Sequence, residues 1–309
     1  MGKIYQGIEE LIGHTPLVAL NRYAKQQKLV ANILVKLESF NPAGSVKDRA
    51  TLNMILAKEE AGEIRPGGTI IEGTSGNTGI AIAAIGAARG YNVKICMPDD
   101  VSIERRKLIK SYGGDVILTP GAEKMGGAGQ AAAKLLEENE NAVIIGQGAN
   151  PNNPDAHYKT TGPEIWEDTE GNVDIFVAAA GTGGTLRGIS DFVKEKNPGV
   201  KVIAVEPTPD DRILTGIHNF TEVPEDRIPA NLKGKEGIFD EVLIAQPEGA
   251  FKAAREVAKS DGVLVGNSSG AALWGATQIA QRPEFEGKKI VVVFPDTGLR
   301  YLTTDLFNE

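Results

Sequence analysis

The sequence has little of what disulfides and metal sites require. Its 309 residues include one cysteine and three histidines. Cys96 alone cannot form an internal disulfide or a multi-cysteine metal site. His14, His157 and His218 do not have HxxxH or HExxH spacing, so we expect no metal site. The GxSxG motif of the α/β hydrolases is also absent, which argues against a Ser-His-Asp hydrolase of that class.

Basic residues are fewer than acidic residues. Lysine and arginine number 33 against 41 aspartates and glutamates, which gives a net charge of -8. Nucleic acids and anionic membranes bind basic patches, and the one basic cluster, 105–107, is short, so we expect neither as a partner. No apolar run is long enough to cross a bilayer, and residues 1–13 lack the apolar stretch of a secretory signal. We therefore expect a cytoplasmic protein.

Short β-branched runs alternate with longer helical patterns along the chain. Strands are predicted over 32–38, 69–73, 92–98, 115–120, 142–147, 174–181, 201–207, 241–245 and 289–296. Helices are predicted over 48–60, 77–89, 103–112, 129–139, 185–196, 248–260 and 269–281. The strand runs are continuously apolar, which is typical of parallel strands buried on both faces. This order predicts an α/β fold with open, mostly parallel sheets, divided near the turn-rich stretch 150–165.

Three predicted strand-to-helix turns are rich in glycine and hydroxyl residues. They are TSGNTG (74–79), GTGGT (181–185) and SSG (268–270). Helix N-termini present free N–H groups and partial positive charge, so such turns can bind anions. The first turn suits a carboxylate or a phosphate. The second has no following lysine and so suits a monophosphate rather than a nucleoside triphosphate. The third could equally be a simple N-cap.

A single lysine, Lys47, follows the turn NPAGS (41–45) where a helix is predicted to begin. It could be a solvated surface lysine or an active amine held on a rigid element. A lysine, a monophosphate turn and a carboxylate turn in one chain together suggest pyridoxal phosphate. The phosphate needs an anion site, the aldehyde needs an amine, and an amino-acid substrate needs a carboxylate site.

The chain resembles the cysteine synthase (O-acetylserine sulfhydrylase) family of fold-type II, tryptophan-synthase-β-like pyridoxal phosphate enzymes, over nearly its whole length. The matching stretches are IGHTPLV (12–18), NPAGSVKDR (41–49), EGTSGNTGIA (72–81), MPDDVSIERRKLI (97–109), HYKTTGPEIWED (157–168), GTGGTLRG (181–188), SSGAA (268–272) and PDTGLRYL (295–302). The resemblance implies two α/β domains with the cofactor in the cleft between them. Residues 1–12 and 36–150 would form a smaller, mobile domain, and residues 13–35 and 151–309 a larger one.

The resemblance also implies roles for individual residues. Lys47 would hold pyridoxal phosphate as a Schiff base and act as the base at Cα. Asn77 would bind the cofactor's 3′-oxygen, and Ser268 would face the pyridine nitrogen. The phosphate would be held by Gly181, Thr182, Gly183, Gly184 and Thr185. The substrate carboxylate would be held by Thr74, Ser75, Gly76, Thr78 and Gln147.

The implied reaction is β-replacement through an aminoacrylate, with O-acetyl-L-serine and sulfide giving L-cysteine and acetate. A homodimer is a family expectation, and relatives bind the C-terminal tail of serine acetyltransferase. Serine/threonine dehydratase matches the motifs less well, and cystathionine β-synthase chemistry stays open. A non-catalytic scaffold that binds a partner tail is the alternative from another class, although such a protein should have lost Lys47 or the phosphate turn.

Two stretches depart from the family pattern. Where the family has QQF, this chain has Gly146-Gln147-Gly148, and the glycine-rich stretch of the family corresponds to 216–232 here. That stretch carries Glu222, Glu225 and Asp226. It could be a diverged loop with solvated carboxylates. Alternatively, Asp226 could be a general base that activates water or a thiol. The enzyme would then consume L-cysteine, release hydrogen sulfide and form L-serine or a thioether.

Overall fold

A computed structural model describes residues 4–209, 211, 213–234 and 237–308. The strands are β1 (Leu17–Ala19), β2 (Asn32–Leu37), β3 (Thr69–Gly73), β4 (Asn92–Pro98), β5 (Asp115–Thr119), β6 (Ala142–Ile144), β7 (Ile175–Ala179), β8 (Lys201–Pro207), β9 (Glu241–Ala245) and β10 (Lys289–Phe294). The α-helices are α1 (Asn21–Gln26), α2 (Lys47–Glu60), α3 (Asn77–Arg89), α4 (Ile103–Ser111), α5 (Lys124–Glu137), α6 (Asn152–Ala156), α7 (Gly162–Asp168), α8 (Gly184–Lys196), α9 (Pro247–Asp261) and α10 (Asn267–Ala280).

The chain divides into two compact units. The smaller unit contains residues 1–12 and 41–153, and the larger unit contains residues 13–40 and 154–309. The expected boundary at residues 35 and 36 is wrong by five residues, because Lys36 and Leu37 complete strand β2 of the larger unit's sheet. Residues 151–153 likewise belong to the smaller unit rather than the larger one.

The smaller unit is built on a four-stranded parallel sheet in the order β5-β4-β3-β6. Helix α3 is buried along most of its length, from Thr78 to Gly86, and it packs against α2 and α4. Helix α5 packs against β3 and β4, where Ile71, Cys96 and Ala128 form a separate apolar cluster. Cys96 is therefore a small buried core side chain, as strand β4's apolar pattern indicates.

The larger unit is built on a six-stranded sheet in the order β1-β2-β10-β7-β8-β9. Only β1 runs antiparallel to its neighbour, and the other pairs are parallel. Helix α10 packs on one face of this sheet and is buried along nearly its whole length. A second apolar cluster, which includes Phe176, Val202 and Val291, accounts for the opposite face of the strands. The predicted α/β class with mostly parallel sheets is confirmed.

The stretch 150–165, predicted to be turn-rich, is instead mostly helical. It holds α6, a π-helix at His157–Thr161 and the start of α7. Pro154 lies in the first turn of α6, where a proline breaks no intrahelical hydrogen bond, because the N–H groups of a helix's first turn have no partner within the helix. Pro163 lies inside the continuous helical run over 152–168, two residues beyond the π-helix. Neither proline therefore ends the helical run.

Two predicted boundaries were wrong for a tertiary reason. Helix α5 begins at Lys124 rather than 129, although its first turns contain several glycines, because Gly127 and Ala128 are buried against the sheet. Packing of this kind overrides the poor helix propensity of glycine. Strand β6 ends at Ile144 rather than 147. No helix in the described ranges is both long and apolar enough to cross a membrane.

Candidate active site

Lys47 is the first residue of α2 and is half-buried in the smaller unit. The turn before it is fixed by its own hydrogen bonds. Gly44, with φ of 81°, donates its N–H to the carbonyl oxygen of Asn41 at 2.8 Å. Asp48 accepts the N–H of Ala43 at 2.6 Å through Oδ2. The lysine is therefore carried on a closed turn and a 14-residue helix, not on a free surface loop.

The turn at 74–78 leads from β3 into α3 in the same unit. Gly76 is the N-cap of this 13-residue helix and provides no side chain to cap it. The hydroxyl of Thr78 donates to Oε1 of Gln147 at 2.5 Å, and Nε2 of Gln147 reaches Oγ1 of Thr74 at 3.4 Å. Three of the predicted carboxylate-binding residues are thus brought together beside a helix N-terminus, which is where an anion is stabilised.

Behind Gln147 lies Glu72, a carboxylate in the apolar strand β3 that is only 3% exposed. Its Oε2 accepts the N–H of Gly146 at 2.8 Å, and its Oε1 accepts the N–H of Gln147 at 3.2 Å. Burial raises the pKa of Glu72 above its ordinary value, and the backbone N–H groups of residues 145–147 oppose that shift. These bonds explain why β6 ends early, since Glu72 takes the N–H groups that would otherwise continue the strand.

The predicted phosphate turn lies in the larger unit, between β7 and α8. Gly183 is the N-cap of α8 with φ of 82°, and no side chain caps this 13-residue helix. A Cβ at Gly183 would lie 2.5 Å from Cγ of Leu232, and a Cβ at Gly181 would lie 2.4 Å from the carbonyl oxygen of Gly216. Asn231 donates to the carbonyl of Thr182 at 2.9 Å. Only glycine fits at positions 181 and 183, and the N–H groups of a helix's first turn, which have no partner within the helix, can bind an anion.

A buried histidine supports the same turn. His157 is 1% exposed and lies in the π-helix, an element that occurs often at functional sites. Its Nε2 is 3.2 Å from Oγ1 of Thr185, and its Nδ1 is 2.9 Å from Oγ1 of Thr161. The last residue of the predicted phosphate turn, Thr185, is therefore connected to Thr161 of the π-helix through one imidazole ring.

Ser268 lies in the first turn of α10 and is 7% exposed. Its neighbour Ser269 is fully buried, and its hydroxyl has no hydrogen-bond partner in the described part of the chain. Asn267 donates to the carbonyl of Ile213 at 3.1 Å. Further along the same segment, the N–H of His218 donates to the carbonyl of Ala180, next to the phosphate turn, at 2.8 Å. Segment 213–218 thus contacts both glycine-rich turns of the larger unit.

These features fit a phosphorylated ring cofactor. A glycine-rich turn at an uncapped helix N-terminus suits a monophosphate, and buried hydroxyls at the start of α10 can meet a polar ring atom. In contrast, within the described ranges no group of three or more His, Cys, Asp or Glu side chains could hold a metal ion.

The divergent stretch 216–232 packs through its ends and exposes its middle. Glu206, fully buried on β8, accepts the N–H groups of Phe220 at 2.7 Å and Thr221 at 3.2 Å. Asp226 lies on an exposed 3₁₀ turn, as do its neighbours Glu225 and Arg227. The catalytic role of Asp226 stays a prediction.

Sequence reasoning missed Glu72, His157 and Asn231. Glu72 had a visible signal, because a carboxylate stands in an otherwise apolar strand, TIIEG. The sequence offers His157 only as a possible metal ligand, and nothing in its local sequence points to Thr185. Asn231 had no signal, because its partner lies 49 residues away in the chain.

Comparison with known proteins agrees with this arrangement. The family model described as pyridoxal-phosphate dependent enzyme matches residues 8–296. Cysteine synthase A of Escherichia coli K12 is 44% identical, with 100% of this chain and 97% of that protein covered. Cysteine synthase of Buchnera aphidicola subsp. Acyrthosiphon pisum is also 44% identical, with 100% of both chains covered. The crystal structure of cysteine synthase from Entamoeba histolytica superimposes with a TM-score of 0.90 at 43% identity, covering 99% of this chain and 92% of that one. The chain belongs to the cysteine synthase (O-acetylserine sulfhydrylase) family of pyridoxal-phosphate-dependent enzymes.

Proposed function

We propose that the protein is a cysteine synthase, which uses pyridoxal phosphate to convert O-acetyl-L-serine and sulfide into L-cysteine and acetate. The observation that carries the proposal is the position of the Lys47 amine. Lys47 stands on the rigid start of α2, in a chain that is 44% identical to a cysteine synthase along its whole length. A scaffold protein would have no need to keep that lysine.

The cofactor, when bound, supplies an aldehyde that reacts with amines and an electron-withdrawing ring that acidifies the Cα proton of an amino acid. The residues Gly181 to Thr185 would hold its phosphate through the free N–H groups of α8. Asn77 would hold the ring's 3′-oxygen. Lys47 would anchor the cofactor through its amine, and the same amine would take the proton from Cα of the substrate.

Ser268 would face the ring nitrogen. Its hydroxyl can donate or accept one hydrogen bond, but, unlike a carboxylate, it does not stabilise a protonated ring nitrogen. Ser268 would therefore leave the bound ring less electron-withdrawing than a carboxylate would, which suits the loss of a good leaving group such as acetate from the substrate. This choice of residue supports β-replacement over reactions that need a persistent carbanion.

The substrate carboxylate would be bound by Thr74, Ser75, Gly76, Thr78 and Gln147. Support comes from the hydrogen bonds that join Gln147 to both threonines beside the N-terminus of α3. A carboxylate there would be stabilised by helix N–H groups as well as by hydroxyl and amide donors.

The cysteine-consuming alternative, with Asp226 as general base, is not favoured. It depends on one carboxylate that is exposed on a surface turn, whereas the relatives described above are named as synthases. A homodimer, a cytoplasmic location and docking of a serine acetyltransferase tail are further proposals that accompany this function.

The test begins with the absorbance spectrum of the purified protein and the yield of L-cysteine from O-acetyl-L-serine and sulfide. We expect a bound-cofactor band and rapid cysteine formation. Lys47→Ala should lose both the lysine-dependent band and turnover. Lys110→Ala, which removes an exposed lysine from α4 in the same unit, should retain both. Sulfide release from L-cysteine without any reaction of O-acetyl-L-serine would refute the proposal.

A further inference from the structure

Glu72 is a buried carboxylate that the proposed reaction does not use. Among the described residues, no lysine or arginine forms an ion pair with it, and its hydrogen bonds come from backbone N–H groups. A buried ionised group without a cationic partner is costly unless its hydrogen bonds are well made. Such an arrangement therefore calls for a reason beyond packing.

The bonds of Glu72 hold the backbone that carries Gln147. Strands β3 and β6 pair in parallel only as far as Ile71 and Ile144. Beyond that point the chain turns at Gly146, whose φ is 67°. The N–H groups of Gly146 and Gln147, which lie past the paired part of the two strands, donate hydrogen bonds to the Glu72 carboxylate. The carbonyl oxygen of Gln147 is held on its other side by Nδ2 of Asn153 at 2.8 Å.

Other hydrogen bonds close the loop on itself: the N–H groups of Ala149 and Asn150 donate to the carbonyl of Gly146 at 3.1 and 3.0 Å, and Nδ2 of Asn150 donates to the carbonyl of Ile145 at 2.8 Å. Gly146 and Gly148 flank Gln147, and a Cβ at either glycine would meet nothing within 4 Å. The two glycines therefore contribute no side-chain packing to the loop. The bonds to Glu72 tie the N–H groups of Gly146 and Gln147 to strand β3, so the position of the Gln147 side chain, 2.5 Å from Thr78, depends on them together with the bond from Asn153.

We infer that Glu72 is a positioning residue for the amino-acid carboxylate, which it serves by fixing Gln147 against Thr74 and Thr78. The inference rests on the proposed function of that group of residues as the substrate carboxylate site. Glu72 does not touch the substrate. Its carboxylate oxygens hold the backbone of Gln147, whose side-chain amide contacts the substrate. Substrate binding therefore does not have to order a glycine-flanked loop.

Glu72→Gln tests the inference, because glutamine keeps the shape but replaces one acceptor oxygen with an NH₂ that faces a backbone N–H. We expect the KM for O-acetyl-L-serine and the dissociation constant for L-cysteine, followed through the spectrum of the bound cofactor, to rise about tenfold. The kcat should change less than threefold. Hydrogen exchange at the amides of Gly146 and Gln147 should become faster.

Two further variants separate positioning from general destabilisation. Glu206→Gln makes the same change at a buried glutamate that also accepts two consecutive backbone N–H groups, but in the larger unit. It should lower the thermal unfolding temperature without changing the KM for O-acetyl-L-serine or the dissociation constant for L-cysteine. When Glu72→Gln is added to Gln147→Ala, KM should rise less than twofold above that of Gln147→Ala alone. The Glu72 substitution acts by displacing the Gln147 amide, which the alanine variant already lacks.

The outcomes are distinct. Faster exchange at 146–147 with an unchanged KM and dissociation constant would make Glu72 a structural residue and overturn the inference. Fully additive effects of Glu72→Gln and Gln147→Ala on the free energy derived from KM would also overturn the inference. If the wild type binds L-cysteine but does not convert O-acetyl-L-serine, the proposed function fails. The L-cysteine dissociation constants of the wild type and Glu72→Gln still show whether Glu72 is a positioning residue. If it binds neither amino acid, the carboxylate site and the inference fail together.

Discussion

Gly183→Ala should disturb the proposed phosphate turn, residues 181–185, more than a substitution at an exposed loop position would. Gly183 has φ of 82°, and an added Cβ would lie 2.5 Å from Cγ of Leu232. Two penalties therefore combine. The left-handed conformation costs an alanine about 1–2 kcal/mol. Forcing a methyl group into the packed leucine costs about 1–3 kcal/mol.

Together the penalties amount to roughly 2–5 kcal/mol, and about 1.4 kcal/mol corresponds to tenfold in affinity. If the turn moves to relieve the strain, its N–H groups move with it. We therefore expect the affinity for pyridoxal phosphate to fall about 30-fold or more. The assay is titration of the cofactor-free protein with pyridoxal phosphate, with thermal unfolding of the same samples measured in parallel.

Two controls divide the effect into its parts. Gly262, at the C-terminus of α9, has φ of 73° but open space around its Cβ position. Gly262→Ala should cost about 1–2 kcal/mol of stability and leave cofactor affinity unchanged. Adding Leu232→Ala to Gly183→Ala should restore part of the lost affinity by removing the clash. Wild-type cofactor affinity in Gly183→Ala would refute the assignment of this turn as the phosphate site.

The other predictions concern a buried histidine and a partly buried ion pair. His157→Phe should weaken pyridoxal phosphate binding about tenfold in the same titration, because the hydroxyl of Thr185 loses its imidazole partner. An unchanged affinity would show that His157 does not position the turn. Glu59→Gln should cost about 1 kcal/mol of unfolding free energy at pH 7, because hydrogen bonds from Arg89 hold the pKa of Glu59 below its ordinary value. Glu59 then gives stability that is fully present above the unfolded-state pKa of 4.5 and is lost as the pH falls through the lower folded-state pKa. Urea unfolding at pH 7 and at about pH 3 should therefore show the difference between variant and wild type shrinking, and a constant difference would contradict the assignment.

The ion pair at Glu59 also accounts for a tyrosine. The phenol of Tyr91 donates to Oε1 of Glu59 at 2.8 Å. Burial, and next the bond to this carboxylate, raise the pKa of Tyr91 to about 12. Tyr91 therefore stays neutral throughout the pH range in which Glu59 is titrated. It does not contribute to the pH dependence of the unfolding free energy expected for the ion pair.

Much of the fold was readable from the sequence because the signals are local. Continuous apolar runs predicted most of the strands to within a few residues, since parallel strands covered on both faces need apolar residues at every position. The turns at 74–79 and 181–185 were readable for a related reason. Glycine and hydroxyl residues between a strand and a helix report directly on a helix N-terminus, whose chemistry is set within one turn.

The errors have non-local causes. Helix α5 begins early because the packing of Ala128 against the sheet, with Gly127 buried beside it, outweighs the poor helix propensity of glycine. Strand β6 ends early because a carboxylate 74 residues away takes the N–H of Gly146. Short periodic patterns contain no information about such partners.

The sequence by itself determined the class of the fold, the lysine at the start of α2 and the two glycine-rich turns, because helix starts and buried strands are specified by neighbouring residues. Only the tertiary structure decided what holds those turns in place. The Glu72 carboxylate meets the loop of Gln147 across 75 residues, and the His157 ring meets Thr185 across 28. Hydrogen bonds of this kind depend on which side chains the sheet brings within about 3 Å of one another, and no spacing along the chain specifies that.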